Sequence, residues 1–320
     1  MTKVAGKARL LHVQLNITNR CNCQCLHCFA SSGSQEDEEL STSKILSLID
    51  EMSHLRVPML TISGGEPCLH QDLCKIVARA ASQGILVSLL TNGTFVTDAL
   101  ARSLSFNGLL AVGVSIDGTP ETHDYIRQYP GSFSRAVHAI HMFKRYGVAV
   151  GITMTINKLN YQEASYIIAL AKKLGVRLSI QKVVLLGRAL ANKELLELPY
   201  DFKERLDVDV LPYLEEEPID EADVSPLNKC SAGRTKCVIE TTGEVSPCSY
   251  ITISAGNVQE RGLEEIWLNS PVFYYFRDSK WLDEPCHSCH VYEKCGGGCR
   301  ALALIKFGSL AAPDPLCPHR

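Results

Sequence analysis

The sequence has no apolar run as long as the roughly 18 residues that a membrane-spanning helix needs, so no membrane span is predicted. Its first residues also lack the apolar segment of a secretory signal peptide. Lysine and arginine number 32 against 35 aspartates and glutamates, a formal net charge of -3, which provides no basic surface for nucleic acid. Charged residues are only 21% of the 320 residues and hydrophobic ones 46%, which excludes a disordered chain. We therefore expect a folded, cytoplasmic protein with no membrane or nucleic-acid partner.

Cysteine, in contrast, is abundant, with fourteen residues. Disulfides are rare in the reducing cytoplasm, so this number favours metal binding or catalysis. An isolated residue such as Cys74 suits the role of a small buried hydrophobe. Eleven of the fourteen are clustered at short spacings, however, and packing alone does not explain them.

Between residues 11 and 184 the sequence alternates between strand and helix patterns. The apolar segments predicted as strands are Leu11–Thr18, Met59–Ser63, Leu86–Thr91, Leu110–Ile116, Val148–Ile156 and Leu178–Val184. The amphipathic segments predicted as helices are Ser41–Leu55, Asp72–Ser82, Thr97–Ser103, Ser134–Tyr146 and Tyr161–Leu174. This alternation predicts βα units and a parallel sheet, either open and doubly wound or closed into a barrel.

Polar residues and glycines mark the ends of these predicted helices. Three hydroxyl residues are predicted as N-caps: Ser41, Thr97 and Ser134. Three glycines fall where a helix is expected to stop: Gly84, Gly147 and Gly175.

The amino-acid composition of the sequence changes after residue 185. Residues 186–225 are helix-like and acidic, and are predicted to form a helical connector with a solvated face. From Cys230 onward cysteine is frequent, with glycine and proline between, as is typical of a small domain held together by metal. We predict three parts: a β/α domain over residues 8–185, the connector, and a cysteine-rich domain over residues 226–320.

The first cysteine cluster follows the first predicted strand, and Cys21, Cys25 and Cys28 have the spacing C-x3-C-x2-C. Three thiolates can hold three irons of a [4Fe–4S] cube and leave the fourth iron open. An open iron suggests that the cluster binds a substrate or cofactor. A zinc site and redox cysteines are the alternatives, although zinc sites usually contain C-x2-C pairs. Cys23 fits no ligand spacing and is predicted to be a spare thiol.

This cluster and the strand ends after it resemble the radical SAM superfamily, whose members use S-adenosylmethionine (SAM). Gly64–Pro67 (Gly-Gly-Glu-Pro) ends the second strand, as the family's SAM-binding motif does. Thr91–Thr94 ends the third strand, and Val114–Gly118 ends the fourth. β/α barrels place their active sites at these carboxyl ends. The resemblance implies a partial (β/α)6 TIM-like barrel over roughly residues 8–185.

The resemblance also implies the chemistry. SAM would chelate the open iron, and one electron would cleave it to a 5′-deoxyadenosyl radical that abstracts hydrogen from a substrate. The electron would come from an external donor of flavodoxin or ferredoxin type. The residues that the resemblance assigns to SAM are Gly64, Gly65 and Glu66 at the amino group, Ser115 and Arg127 at the carboxylate, and His27 near the adenine.

Eight further cysteines lie in the C-terminal region: Cys230, Cys237, Cys248, Cys286, Cys289, Cys295, Cys299 and Cys317. Eight thiolates suffice for two cubes with four ligands each. Structural zinc is the alternative, because Cys286 and Cys289 form a zinc-like C-x2-C pair.

The spacing of these eight cysteines, together with Gly243, resembles the SPASM domain, an iron–sulfur domain of peptide- and protein-maturing radical SAM enzymes. That resemblance implies a first auxiliary cluster on Cys230, Cys237, Cys248 and Cys299. It implies a second on Cys286, Cys289, Cys295 and Cys317. With the first cysteine cluster, the expected total is three [4Fe–4S] clusters. The auxiliary clusters are expected to transfer electrons and to hold the domain together.

The substrate is predicted from positions at which this sequence differs from better-known members of the family. Sulfatase maturases carry an aspartate after the cysteine that matches Cys248, whereas this chain has Ser249 and Tyr250, which argues against formylglycine formation. The first strand begins near Leu11, which leaves no room for an N-terminal peptide-recognition domain. The first hypothesis is a peptide or protein maturase that forms crosslinks or oxidises its substrate.

Two other functions stay open at this point. One is a small-molecule enzyme, a sugar or nucleoside epimerase or dehydrogenase. Cys68, which follows Glu66 and Pro67, would then be a catalytic hydrogen donor, unless it is an inert buried thiol. The other is a non-catalytic iron–sulfur or zinc module.

Overall fold

The computed structural model describes residues 8–33, 38–199, 201–206, 208–214, 230–278, 281–315 and 317. The chain divides into two compact units. The barrel unit contains Gln14–Glu216 and Glu240–Thr242, and the C-terminal unit contains Met1–Val13, Glu217–Ile239 and Gly243–Arg320. The first part of the predicted connector therefore belongs to the barrel unit. The boundary predicted near residue 226 lies outside the described residues.

Six strands form the sheet of the barrel unit: β1 (His12–Asn16), β2 (Met59–Ser63), β3 (Leu86–Thr91), β4 (Leu109–Ser115), β5 (Ala149–Ile156) and β6 (Arg177–Lys182). They lie side by side in chain order from β1 to β6, and β2 to β6 pair in parallel. A doubly wound sheet reverses its strand order at a switch point, and this sheet does not. Of the two predicted arrangements, the structure has the partial barrel.

The helices of the barrel unit between these strands are α1 (Thr42–His54), α2 (Leu73–Ser82), α3 (Asp98–Phe106), α4 (Pro120–Arg127), α5 (Ser132–Arg145) and α6 (Ala164–Leu174). Five were predicted within a few residues. Helix α4 was not predicted, because it is short and polar and buries only His123, Ile126 and Arg127. After β6 come the short helices α7 (Gly187–Ala191), α8 (Lys193–Leu196) and α9 (Leu211–Leu214).

Two of the three predicted N-caps are confirmed. Ser41 Oγ accepts a hydrogen bond from Lys44 N, and Thr97 Oγ1 accepts one from Leu100 N. The N-cap predicted at Ser134 is wrong, because α5 begins two residues earlier. Its N-cap is Gly131, which lies in the left-handed region (φ +80°). The three glycines predicted to end helices all have positive φ, and Gly175 is itself the C-cap of α6.

The described residues of the C-terminal unit form three short antiparallel strands and four short helices. The strands are β7 (Lys236–Ile239), β8 (Glu244–Ser246) and β9 (Gly256–Asn257). The helices are α10 (Leu263–Asn269), α11 (Pro271–Arg277), α12 (Tyr292–Cys295) and α13 (Arg300–Phe307). A small core of Ala232, Ile251, Phe276 and Ala301 has Cys248 and Cys299 packed against it.

Among the described residues, no helix has both the length and the apolar character needed to cross a membrane.

Candidate active site

The loop that contains Cys21, Cys25 and Cys28, called the cysteine loop below, follows β1. Residues at the carboxyl end of β2 fix its backbone by hydrogen bonds. Gly65 N donates a hydrogen bond to Thr18 O (2.7 Å), and Glu66 N donates one to Arg20 O (2.9 Å). The second acceptor, Arg20, directly precedes Cys21, which is the first predicted cluster ligand in the chain. The Gly-Gly-Glu segment and the cysteine loop are therefore built as one structure.

The two glycines are required by this close packing. A Cβ atom on Gly64 would lie 2.3 Å from Thr18 O, and one on Gly65 would lie 2.4 Å from Arg20 O. Gly64 also has φ +139°, a conformation that side-chain-bearing residues rarely adopt. The close approach that these glycines permit is to the backbone of the cysteine loop.

Substituting Gly64 with alanine is expected to displace this loop and reduce the iron bound per chain. Gly84→Ala is the matched control, because Gly84 also has positive φ (+77°) but nothing lies within 4 Å of its added Cβ. The control is expected to lose about 1 kcal/mol of stability from backbone strain alone. Gly64→Ala is expected to lose a further 1–3 kcal/mol or so from overpacking. Iron analysis and urea unfolding test this, and equal iron content in both variants would contradict it.

Glu66 is 0% exposed and joins the ends of β2 and β3. Its carboxylate accepts hydrogen bonds from Thr91 Oγ1 (2.7 Å), Asn92 N (2.7 Å) and Cys68 N (3.0 Å). Burial raises the pKa of Glu66, although these hydrogen bonds act to lower it. The Cys68 thiol also hydrogen-bonds to Glu66, so four donors surround this buried carboxylate.

An asparagine pair that the sequence analysis did not identify links the end of β3 to the cysteine loop. Asn92 Nδ2 donates to Asn22 Oδ1 (3.1 Å), and Asn22 Nδ2 donates to Thr94 Oγ1 (2.8 Å). Asn92 Nδ2 also lies 3.5 Å from Cys23 Sγ. The motif at Thr91–Thr94 was noted, but its partner Asn22 is hidden in sequence because it lies seventy residues away.

The thiols of the cysteine loop interact with one another. Cys23 is buried and hydrogen-bonds with both Cys21 and Cys25, which raises the pKa of Cys23. The same bonds lower the pKa of Cys21, and lower that of Cys25 to about 5 against the opposing effect of burial. Cys28 N donates to Cys25 O (3.2 Å) and closes the turn between these two. In the part of the chain that the structure describes, no three His, Cys, Asp or Glu side chains lie close enough to share a single metal ion.

Arg127 connects helix α4 to this loop. Its Nε donates to Asp117 Oδ2 (2.6 Å), and its Nη1 lies 3.7 Å from Cys25 Sγ. Asp117 is 0% exposed, and burial acts to raise its pKa, but Arg127 and His27 together hold that pKa below its usual value. Burial opposes the charge of Arg127, whereas Asp117 and Cys25 raise its pKa. Arg127 therefore stays a cation beside a predicted cluster ligand.

Two histidines complete this buried network. His27 Nε2 lies 3.6 Å from Asp117 Oδ2, and His123 Nδ1 accepts a hydrogen bond from Asp117 N (3.1 Å). His27 Nδ1 and His123 Nε2 are buried and have no hydrogen-bond partner among the described residues. Buried polar atoms without partners are rare in proteins. These two atoms therefore fit a site that a polar ligand completes.

His123 is expected to make the protein less stable in mild acid. Burial lowers the pKa of His123 from 6.5 to about 4 in the folded protein. The unfolded chain binds a proton below pH 6.5 while the folded chain does not, so stability falls as the pH drops through this window. The loss from this group is about 2 kcal/mol between pH 7 and pH 5. Urea unfolding at both pH values should show a smaller loss in His123→Gln, and an equal loss in both proteins would contradict the expectation.

The remaining predicted site residues also lie at strand ends. Ser115 is the last residue of β4 and is paired with Thr153 of β5. Cys68 lies in a 3-10 turn, Pro67–Leu69, with its Sγ 3.5 Å from Thr91 Oγ1. Burial raises the pKa of the Cys68 thiol well above its usual value, so the thiol keeps its hydrogen at neutral pH.

In the C-terminal unit, two groups of thiols act on one another's pKa. Burial raises the pKa of Cys286, and the neighbouring thiols of Cys317, Cys295 and Cys289 raise it further. The thiols of Cys317, Cys295 and Cys289 are therefore near enough to Cys286 to act on its pKa.

The other C-terminal group is smaller. Burial raises the pKa of Cys248 to about 11, and the neighbouring thiols of Cys230 and Cys299 add to the shift. Cys237 is 0% exposed, and the charged side chains that act on its thiol are Lys236 and Arg277. Of the four thiols predicted for the first auxiliary cluster, Cys230 and Cys299 act on the pKa of Cys248.

Known protein families match both units. The sequence model of the radical SAM superfamily matches residues 15–188, and that of an iron–sulfur cluster-binding domain, SPASM, matches residues 230–290. The chain is 31% identical to an AdoMet-dependent heme synthase of Methanosarcina barkeri, over all of this chain and 99% of the relative. It is 32% identical to the mycofactocin maturase MftC of Mycobacterium tuberculosis, over 94% of this chain and 81% of the relative.

Solved structures confirm the fold. The structure of Streptococcus suis SuiB bound to S-adenosylmethionine superposes with a TM-score of 0.77 at 19% identity, covering 97% of this chain and 78% of SuiB. The predicted α/β partial barrel with a cysteine-rich C-terminal region is confirmed by this likeness. With the family match and the cysteine loop, these findings show that the chain belongs to the radical SAM superfamily and is a radical SAM/SPASM enzyme.

Proposed function

We propose that this enzyme cleaves SAM reductively and uses the resulting 5′-deoxyadenosyl radical to abstract hydrogen from a peptide or protein, which it crosslinks or oxidises. The radical SAM family uses SAM and a [4Fe–4S] cluster. The proposal adds two auxiliary clusters, for a total of three, and an external one-electron donor of flavodoxin or ferredoxin type. When bound, the first cluster and SAM supply the radical chemistry, and the protein positions and shields them.

The residues of the barrel unit fit these groups. Cys21, Cys25 and Cys28 supply three thiolates to the first cluster and leave one iron open to SAM. Arg127 places a cation beside Cys25, which compensates the negative charge of the thiolate. Glu66 supplies the buried carboxylate for the SAM amino group, and an ammonium there would share it with the hydroxyl of Thr91 and the thiol of Cys68. Because Asp117 already holds Arg127, any contact between Arg127 and the SAM carboxylate would use its remaining N–H groups.

Two findings support a peptide substrate. MftC is named a mycofactocin maturase, and its similarity extends over 94% of this chain. SuiB, which shares the fold, has also been solved with its precursor peptide SuiA. The first of these carries the proposal, because it combines sequence identity with coverage of both units.

A tetrapyrrole substrate is the second candidate. The similarity to an AdoMet-dependent heme synthase covers the full length of this chain, and a Fe-coproporphyrin III synthase of Methanosarcina barkeri is also 31% identical over 94% of it. These relatives favour a small-molecule substrate of the heme class over the sugar or nucleoside that Cys68 suggested. The hydrogen-donor role of Cys68 would be rejected if Cys68→Ala turned over its substrate at the wild-type rate.

One experiment separates the two candidates. The enzyme, loaded with iron and sulfide without oxygen, is given SAM and dithionite with either the peptides encoded beside its gene or Fe-coproporphyrin III. We expect mass spectrometry to show a loss of hydrogen in a peptide, together with 5′-deoxyadenosine. A modified porphyrin and unmodified peptides would reject the peptide proposal.

A further inference from the structure

Arg300 is the first residue of helix α13 and directly follows Cys299, a predicted cluster ligand. It is only 6% exposed, so the side chain is buried within the C-terminal unit. Arginine is almost never fully buried without a partner, because burying an unpaired charge is costly. The partners of this guanidinium therefore show what it does.

One side of the guanidinium has partners and the other has none. Arg300 Nη1 donates hydrogen bonds to Leu310 O (2.9 Å) and Ala312 O (2.7 Å). Arg300 Nε and Nη2 are buried and have no hydrogen-bond partner among the described residues. Nε–H and Nη2–H form the edge with which an arginine binds an anion through two parallel hydrogen bonds. A complete anion-binding edge is therefore buried and unpaired.

This unpaired edge lies beside the glycine segment Gly296–Gly298, which directly follows Cys295. A Cβ atom on Gly297 would lie 3.5 Å from both Cζ and Nη2 of Arg300. The guanidinium therefore packs against the backbone two residues after Cys295, a predicted cluster ligand.

Hydrogen bonds also connect Arg300 to the segment before Cys286. Ala312 O accepts from Arg300, and the neighbouring carbonyl of Ala311 accepts from Asp283 N (3.0 Å). Asp283 O in turn accepts from Cys286 N (3.0 Å). Burial raises the pKa of the Cys286 thiol, and the charge of Arg300 is near enough to act against this shift. The cation is therefore close to a second predicted cluster ligand.

We propose that Arg300 Nε and Nη2 donate hydrogen bonds to sulfur atoms of the second auxiliary cluster and thereby raise its reduction potential. The predicted ligands of this cluster are Cys286, Cys289, Cys295 and Cys317. Its anionic sulfurs are acceptors that suit the unpaired edge. Net charge and hydrogen bonds to sulfur help to set the potential of an iron–sulfur cluster, and a cation with two donors stabilises the more negative, reduced form. This inference rests on the proposed auxiliary clusters, but not on the identity of the substrate.

The test uses the full chain with Cys21, Cys25 and Cys28 changed to alanine, so that the EPR signals of the loaded, reduced protein come from the auxiliary clusters. The protein is produced with arginine that carries ¹⁵N in its guanidinium group. Pulsed EPR measures any coupling between ¹⁵N and a cluster, and EPR during a redox titration measures the reduction potentials. The coupling in this background protein needs no substitution at Arg300, so it decides the question even if a variant fails to fold.

Three variants are compared in this background: Arg300→Lys, Arg300→Met and Arg234→Met. Lysine keeps the cation and can still donate to Ala312 O, but it has no bidentate edge. Arg234 is the matched control, because it lies in the same unit and its Nη2 already donates to Gly296 O (3.3 Å). Circular dichroism and iron analysis confirm that a variant is folded and loaded.

The background protein is expected to show a ¹⁵N coupling that disappears in Arg300→Lys and persists in Arg234→Met. In Arg300→Met, reduction of one cluster is expected to become at least about tenfold less favourable, which is about 59 mV for one electron. Arg300→Lys should recover only part of this shift, and Arg234→Met should show a smaller one.

Three results would overturn the inference and leave the proposed function intact. The first is a loaded background protein without ¹⁵N coupling, since the edge would then bind water or another anion. The second is a coupling that persists in Arg300→Lys. The third is a folded, loaded Arg300→Met protein with the potentials of the background. A background protein without iron would instead overturn the auxiliary clusters and this inference together.

Discussion

Cys25→Ala is expected to abolish the formation of 5′-deoxyadenosine from SAM. Cys25 is one of three thiolates for the first cluster, and it is the one that Arg127 approaches (3.7 Å). Loss of groups around metal ligands costs about 10–100-fold in affinity or activity, so loss of a ligand should cost more than about 100-fold. The measurement is chromatography of 5′-deoxyadenosine after anaerobic incubation with SAM and dithionite, together with iron analysis.

Two other cysteines provide controls. Cys74 accepts a hydrogen bond from Ser103 Oγ (3.3 Å) on the helical side of the barrel unit, and Cys74→Ala should cleave SAM at the wild-type rate. Cys23 lies between two predicted ligands, so Cys23→Ala distinguishes a spare thiol from a ligand. We expect it to keep its iron. A Cys25→Ala protein with full iron content and normal cleavage, or a Cys23→Ala protein without iron, would contradict the assignment of the triad.

Arg127→Met is expected to have the largest effect on stability. It leaves the carboxylate of Asp117, which is 0% exposed, without its closest cation. Breaking a buried ion pair from one side costs about 3–5 kcal/mol. The midpoint of urea unfolding, measured without oxygen, reports this loss. Arg79→Met is the surface control, because the pair of Arg79 with Asp50 is solvent-exposed, and it should leave the midpoint almost unchanged.

A double substitution tests the reason for this loss. In Arg127→Met combined with Asp117→Asn no buried carboxylate is left unpaired, and the new amide oxygen can still accept from Thr155 N. The double variant is therefore expected to be more stable than Arg127→Met alone. If the loss of stability in the double variant equalled the sum of the losses in the two single variants, the unpaired buried charge would not be the cause.

Much of the barrel could be predicted because its signals are local. Strands β2 and β3 were predicted to the residue, since β-branched and apolar residues there end at motifs with glycine, proline or asparagine. Helix α4 was missed because a short polar helix has little amphipathic pattern. The N-cap at Ser134 was wrong because Gly131 and the side chain of Asp124, which accepts from Ser132 Oγ, start the helix earlier.

The metal ligands of the candidate site are a prediction from cysteine spacing, and the hydrogen bonds that support the cysteine loop were not predicted. Cysteine spacing is visible in sequence, whereas Arg127 meets Cys25 and Asn92 meets Asn22 from distant parts of the chain. Arg127 was predicted at the SAM carboxylate, and its ion pair with Asp117 depends on how α4 packs against the end of β4.

The most direct test of the central claim is the EPR spectrum of the dithionite-reduced, iron-loaded enzyme with and without SAM. If Cys21, Cys25 and Cys28 leave an iron open to SAM, the spectrum of one cluster should change when SAM is added. The change should be absent when all three cysteines are alanine. Identical spectra of the wild-type protein with and without SAM would contradict the account.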